Sequence, residues 1–139
     1  MGTRRQARES ALQFLYQWEY NHGSLEPALE FFWKEHPASP RVRQFAEQLI
    51  RGVVEKQPEL DAFLSRCTDN WDLSRLGAVE RNVMRIALYE MLHRPDIPPA
   101  VSINEAVDIA KAFCDSESGH FVNGVLDRAR AEIGRDSRH

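Results

Sequence analysis

Three arginines stand close together near the start of the chain, where their side chains could bind phosphate. Arg4, Arg5 and Arg8 fall in the first turns of a predicted helix, and their spacing puts Arg4 and Arg8 on one helix face. Cations in a first turn oppose the helix dipole, by roughly 0.3–1 kcal/mol each when exposed, so stability alone would favour Asp or Glu there. A guanidinium group can engage two phosphate oxygens at once. The cluster therefore favours contact with phosphate or nucleic acid over solvated surface charge.

The sequence contains no arrangement typical of a catalytic or metal site. None of the five histidines has a His or Cys partner at metal-ligand spacing. Glycine-rich phosphate loops and nucleophile elbows are also missing from the sequence. Cys67 and Cys114 are widely separated, which predicts two free thiols and not a disulfide framework. We therefore expect a non-enzymatic protein without a metal or a cofactor.

Composition places the chain among ordinary globular proteins. Hydrophobic residues make up 42% and charged residues 28% of the 139 residues, and the net charge is −3. The charge is uneven, because residues 1–10 and 128–139 are net basic and the segment between them is acidic. No apolar run approaches the length of a membrane helix, and no apolar segment follows the first arginines as in a secretory signal. A cytoplasmic location is therefore expected.

The elements that carry these residues are all predicted to be helices. Apolar residues recur at helical spacing throughout, and no segment alternates long enough to suggest a strand. Ser39 and Pro40 predict the N-cap and first residue of a helix with a clear core stripe. A long helix ending near His93 is apolar on more than one face, as central helices are. We therefore expect an all-α fold, a compact bundle of about seven helices in two interlocked small bundles, forming one domain over residues 1–139.

Two capping boxes are predicted at helix starts. Thr3 with Gln6 would open the first helix, and Ser102 with Glu105 would open the sixth. In each pair the hydroxyl would accept from a backbone amide three residues on, and the longer side chain would reach back. Val101 is placed to form a hydrophobic staple in front of the second box.

Proline and glycine residues set further predicted boundaries. Pro58 is expected to open a separate, short fourth helix, since proline fits the first turn of a helix best. Gly134 is expected to end the last helix at its C′ position. Gly124 lies inside that helix, where glycine costs roughly 1 kcal/mol relative to alanine. We therefore expect a close approach of a neighbouring helix at Gly124.

Blocks of sequence from one end of the chain to the other carry a family pattern. These blocks resemble motifs of the NusB family of bacterial transcription antitermination factors and occur in the same order as in that family. The last block is the most specific. Residues 22–75 match in helical pattern only. The blocks are Arg4-Arg5-Gln6-Ala7-Arg8 with Leu15-Tyr16, Val79-Glu80-Arg81-Asn82-Val83-Met84-Arg85-Ile86-Ala87-Leu88-Tyr89-Glu90, Ser102-Ile103-Asn104-Glu105-Ala106 and Phe121-Val122-Asn123-Gly124-Val125-Leu126-Asp127.

The resemblance implies an all-helical RNA-binding protein that is not an enzyme. Members of the family bind the single-stranded boxA element of ribosomal RNA leaders together with NusE, a small-subunit ribosomal protein. They do so within an RNA polymerase antitermination complex. The implied RNA contacts are Arg4, Arg5, Gln6, Arg8, Tyr16, Glu117, His120 and Phe121, and the implied NusE-facing residues are Glu80 and Arg85. Tyr16 and Phe121 could stack unpaired bases, although core packing is the plainer role for either ring.

The chain departs from the family pattern at a few positions. Gln6 replaces an arginine that is common in the motif, and no lysine precedes Arg4. Cys114 stands where glycine is usual. The first two changes predict fewer phosphate contacts and weaker RNA affinity in the absence of NusE.

Two alternatives to an antitermination factor remain open from the sequence. NusB-like domains also form the RNA-binding part of certain ribosomal RNA cytosine methyltransferases, in which case a methyltransferase domain would follow residue 139. The residues up to His139 look instead like a natural frayed end. The other alternative is an all-α homodimer whose RNA face is masked by self-association.

Overall fold

The computed structural model describes residues 2–21, 23–69 and 72–136, and it describes side chains up to residue 134. The end of the basic C-terminal segment, residues 137–139, lies outside the described residues. Within the described parts the chain forms α-helices and one short 3₁₀ turn, and no strand. The helices are α1 Thr3–Trp18, α2 Leu25–Glu35, α3 Pro40–Cys67, α4 Ala78–His93, α5 Pro99–Phe113 and α6 Ser116–Asp136, with the 3₁₀ turn at Leu73–Arg75.

Helix α4 is the centre of the bundle. It packs against α1, α3, α5 and α6, while α1 pairs with α3 on one side and α5 pairs with α6 on the other. Its buried residues point in several directions and include the polar side chains of Asn82, Arg85 and Glu90. The all-α prediction and the central position of this helix are therefore confirmed, and α4 brings charged groups into the core.

Helix α3 begins where the sequence predicts. The Ser39 hydroxyl accepts a hydrogen bond from the Val42 amide at 3.3 Å, and Pro40 is the first helical residue. The predicted break at Pro58 is wrong, because α3 runs through this residue as one helix of 28 residues. The proline ring lies on the exposed side, while Val53 and Leu60 are fully buried on the other. Core packing on both sides of Pro58 thus offsets the lost backbone hydrogen bond.

Both predicted capping boxes are wrong. Gly2 occupies the N-cap position of α1, so Thr3 is the first helical residue. Helix α5 starts four residues earlier than predicted, with Pro98 and not Ser102 at its N-cap. Ser102 therefore lies in the second turn, where its hydroxyl donates to the buried carboxylate of Glu90 at 2.6 Å. Val101 is 43% exposed and forms no staple.

Gly52 and Gly124, both inside helices, have different surroundings. A Cβ atom at Gly124 would meet open space, so the predicted close approach there is wrong. A close approach between helices does occur at Gly52 on α3, where a Cβ atom would overlap the Tyr89 ring of α4. Helix α6 also continues past Gly134 to Asp136, because glycine does not force a helix to end.

Candidate functional site

The guanidinium group of Arg8 is buried where α1 meets α4 and α5. Its Nε and Nη2 atoms donate to the Glu90 carboxylate at 2.7 and 3.0 Å, and Nη1 donates to Glu105 at 3.1 Å. Arg8 is 4% exposed and Glu90 is fully buried. A bidentate, charge-assisted ion pair of this kind is strong and directional. Arg8 therefore holds α1 against α4 and α5 and is not presented to solvent.

Arg5 lies half-way between the core and the surface. It forms a forked pair with the Glu105 carboxylate, in which Nε donates to Oε1 at 2.9 Å and Nη2 donates to Oε2. Nη2 also donates to Asp108 at 2.9 Å. The hydrogen bond from Arg5 lowers the pKa of Glu105 below its usual value. About a quarter of the Arg5 side chain stays exposed.

Arg4 is the exposed member of the three. Half of its side chain is exposed, and its guanidinium lies 4.7 Å from the centre of the Phe45 ring and 3.7 Å from the Asp96 carboxylate. The unfavourable placement of arginines in the first turns of α1 is thus compensated by carboxylates from other parts of the chain. We call Arg4, Arg5 and Arg8, with Glu90, Asp96, Glu105 and Asp108, the amino-end network.

The carboxyl end of α1 holds a second group of charges. Glu19 accepts from Arg81 at 2.5 and 2.9 Å and from Arg85 at 3.0 Å. Arg85 also binds both oxygens of Asp61, at 2.7 and 2.9 Å, and Asn82 donates to Glu19 at 2.9 Å. Burial raises the pKa of Glu19, but the hydrogen bonds from Arg81 and Asn82 outweigh this and leave the pKa below its usual value. We call these five residues the carboxyl-end network.

Arg85 is therefore placed differently from a surface residue. Only 5% of it is exposed, and its donors are directed at Asp61, Glu19 and Asn82. Glu80, the other residue implied in partner binding, lies in the first turn of α4 and accepts from the Gly77 amide at 3.3 Å. The two residues share a helix but not a surface.

A groove between α4 and the start of α6 brings several of the predicted residues together. Its walls include Glu80, Glu117 and Phe121, with Asp115 and Leu76 beside them. The three carboxylates that line it, those of Glu80, Asp115 and Glu117, give this groove a negative charge. His120 is exposed next to it on α6. The groove brings two of the residues implied in RNA contact, Glu117 and Phe121, beside Glu80, which is implied in partner contact.

Two tyrosines are exposed on the outer face of α1 and just beyond it. Tyr16 is 46% exposed and Tyr20 is 74% exposed, with ring centres 6.1 Å apart in an edge-to-face arrangement. Core packing is thus excluded as the role of Tyr16. Gln6 is exposed as well, in a shallow depression that also contains Phe113 at the end of α5.

Within the described parts of the chain, no group of three or more His, Cys, Asp or Glu side chains is arranged to hold a metal ion. The same parts contain no helix that is both long and apolar enough to cross a bilayer. Cys67 is buried and Cys114 is exposed, and both are free thiols.

Comparison with known families matches the model of the NusB family to residues 5–131. The chain belongs to the NusB family. A curated relative, the transcription antitermination protein NusB of Desulforapulum autotrophicum, is 48% identical over 132 residues, covering 94% of this chain and 92% of the relative. The family is thus one of transcription antitermination proteins and not of enzymes, as the sequence predicts.

Two solved structures extend the NusB-family likeness to the fold. NusB of T. maritima is 40% identical, with a TM-score of 0.83, and covers 93% of this chain and 91% of that one. A chain in a crystal structure of the antitermination factors NusB and NusE with double-stranded RNA is 27% identical, also with a TM-score of 0.83. That match covers 93% of this chain and 96% of the other.

Sequence reasoning on this NusB-family chain missed Arg94 and Asp96, which lie beside Arg4 in the loop after α4. No local pattern brings residue 94 to the start of the chain, so only the fold could reveal this contact. Tyr20 was also missed. Its spacing of four residues from Tyr16 on a predicted helix is a signal that could have found it.

Proposed function

We propose that this chain is a transcription antitermination factor that binds boxA-type single-stranded leader RNA of ribosomal RNA operons together with NusE. In this function it acts within an RNA polymerase antitermination complex. The observation that carries the proposal is its likeness, over nearly the whole chain, to the NusB component of a structure that contains NusE and RNA. The RNA in that structure is double-stranded, so the preference for a single strand needs its own test.

The proposed RNA face is built around the exposed part of the amino-end network. Arg4 is half exposed, and about a quarter of the Arg5 side chain is exposed beside its pairs with Glu105 and Asp108. A guanidinium group that reaches the surface suits phosphate oxygens. Arg8 takes a positioning role, because Glu90 and Glu105 already bind its donors. Gln6 and Tyr16 are exposed on the same helix, where an amide and an aromatic ring can contact bases.

The proposed contribution of α6 to RNA and partner binding lies in the groove beside Glu80. Phe121 is partly buried there and offers one edge to a base, while Glu117 and the exposed His120 supply polar contacts. Because the groove is negatively charged, a basic protein such as a ribosomal protein suits its rim. In this proposal Glu80 faces NusE, and Arg85 stabilises the helix from which Glu80 projects.

A titration with defined RNAs tests the proposal. A boxA RNA strand, its duplex and a scrambled strand are each titrated with the protein alone and with NusE present. We expect the boxA strand to bind more tightly than the other two, and more tightly with NusE. Phosphate contacts by Arg4 and Arg5 should contribute about −1.4 to the log–log salt slope on a single strand. Equal affinity for all three RNAs, with and without NusE, would overturn the proposal.

A pair of double variants supplies the matched control. Replacing Arg4 and Arg5 with alanine should remove most of the salt slope. Replacing Arg43 and Arg51 with alanine removes two exposed arginines of α3 that pair with Glu47 of the same helix and with Glu26 of α2, and should leave the slope unchanged. Light scattering on the same samples reports whether the protein self-associates and whether RNA replaces that contact.

A further inference from the structure

Two arginines that are far apart in sequence converge on one exposed carboxylate. Arg94, in the loop after α4, donates to Asp96 from Nε and Nη2, both at 3.1 Å. Arg4, at the amino end of α1, approaches the same carboxylate at 3.7 Å. Asp96 is half exposed, so this meeting point lies at the surface.

Packing beneath the two arginines fixes their position. The guanidinium groups of Arg4 and Arg94 lie 4.7 and 5.2 Å from the centre of the Phe45 ring, which itself is 8% exposed. Cations held against an aromatic ring lose little further freedom when they bind an anion. The Nη1 atom of Arg94 is held by the Gln48 side chain at 2.9 Å, which leaves its Nε and Nη2 edge directed at Asp96.

The charges at this point do not balance. Two guanidinium groups share one carboxylate, so the cluster keeps a positive charge. Arg4 also lies in the first turn of α1, where Gly2 occupies the N-cap position and the partial positive charge of the helix adds to that of the side chain. An exposed ion pair contributes little to stability, so an incoming anion displaces Asp96 at small cost.

We infer that Arg4 and Arg94 form a subsite for a phosphodiester group of bound RNA, and that Asp96 occupies this subsite in the free protein. The RNA part of the inference rests on the proposed function. A phosphate group replaces the Asp96 carboxylate on the Nε and Nη2 edge of Arg94, which has the forked geometry that suits two phosphate oxygens. Asp96 then acts as a resident competitor that weakens RNA binding, and Arg94 adds a third phosphate contact to those of Arg4 and Arg5.

Variants at the two positions have opposite expected effects on RNA binding. Asp96→Asn keeps the size of the side chain and removes its charge, so it should tighten binding of the boxA strand about threefold. Arg94→Ala should weaken binding and reduce the magnitude of the salt slope by about 0.7. The control variant Arg43→Ala removes an exposed arginine of α3 that pairs with Glu47 and not with Asp96, so it should change neither the RNA affinity nor the salt slope. Circular dichroism confirms that each variant is folded.

Inorganic phosphate tests the subsite independently of RNA. The side-chain Nε–H signal of Arg94 is assigned by its loss in Arg94→Ala and is followed by NMR during a phosphate titration. We expect a saturable shift in the wild type, and a shift at lower phosphate concentration in Asp96→Asn. No shift of this signal, or the same midpoint in both proteins, would overturn the subsite.

The RNA titration and the phosphate titration together distinguish a failure of the subsite from a failure of the proposed function. A phosphate response with no binding of the boxA strand supports the subsite and refutes the RNA function. A protein that binds the boxA strand with unchanged affinity in Asp96→Asn and Arg94→Ala refutes the subsite as an RNA contact.

Discussion

The two ends of helix α1 use the same chemistry for different purposes. At both ends arginines and carboxylates from distant segments meet, and at both ends the charge carried by α1 opposes its own dipole. In the carboxyl-end network, two arginines of α4 are matched by Glu19 and Asp61, and the guanidinium groups are mostly buried. In the amino-end network, burial decreases from Arg8 through Arg5 to Arg4. The carboxyl-end network keeps its guanidinium groups inside the protein, whereas the amino-end network also leaves half of the Arg4 side chain exposed.

The largest expected effect comes from the buried centre of the amino-end network. Glu90→Gln leaves the Arg8 guanidinium buried without its main counter-charge, so the free energy of unfolding should fall by about 3 kcal/mol. Urea unfolding followed by circular dichroism measures this. The control Glu55→Gln, at an exposed position of α3, should stay within about 0.5 kcal/mol of the wild type. A similar small change for Glu90→Gln would mean that this pair does not hold the helices together.

The carboxyl-end network should respond less strongly to the loss of one arginine. Arg85→Ala leaves Asp61 partly exposed to water and leaves Glu19 with Arg81, so we expect a loss of about 2 kcal/mol. Affinity for RNA and the salt slope, measured on the folded variant, should not change, because Arg85 is enclosed. A changed salt slope in Arg85→Ala would contradict the assignment of a purely structural role to the carboxyl-end network.

Both networks should make stability depend on pH in the same direction. The pKa values of Glu19 and Glu105 are lowered in the folded protein from a usual value of 4.5. The stabilisation from each carboxylate is therefore fully present above that value, and it is lost as the pH falls below 4.5 through the lowered pKa. Urea midpoints from pH 6 to pH 3 should fall steeply in the wild type and less steeply in Glu19→Gln and in Glu105→Gln. An unchanged profile in either variant would show that its carboxylate is not the titrating group.

The smallest effect on stability is expected at the exposed end of the amino-end network. Arg4→Ala should change the free energy of unfolding by less than about 0.5 kcal/mol, since its ion pair with Asp96 is long and exposed. The same variant should reduce the magnitude of the RNA salt slope by about 0.7. A large loss of stability with an unchanged salt slope would place Arg4 with the structural arginines.

Much of the fold was predictable because its signals are local. The stripe of apolar residues in α3, the cap at Ser39 and the many-sided apolar surface of α4 all follow from spacing along one helix, and each is present in the structure. The errors arose where tertiary packing outweighed a local preference. Pro58 stays inside α3 because residues on both sides of it are packed in the core. Ser102 donates a hydrogen bond to Glu90 instead of capping the start of a helix.

The candidate site was only partly predictable. The sequence placed Arg4, Arg5 and Arg8 on one short segment but could not rank them by exposure. Arg8 and Glu90 are separated by 82 positions, and the contact of Arg4 with Asp96 likewise depends on how α1 packs beside the loop after α4. The same limit applies to Arg85, whose surroundings come from three different helices.

The amino-acid sequence by itself determined that the chain is all helical, which faces form the core and to which family the chain belongs. These properties depend on residue spacing and on short motifs, both of which are written along the chain. Only the tertiary structure decided which arginines are structural and which can meet a ligand. A guanidinium group has the same intrinsic chemistry at positions 4 and 8, and the difference comes from the carboxylates and the solvent that the fold places around it.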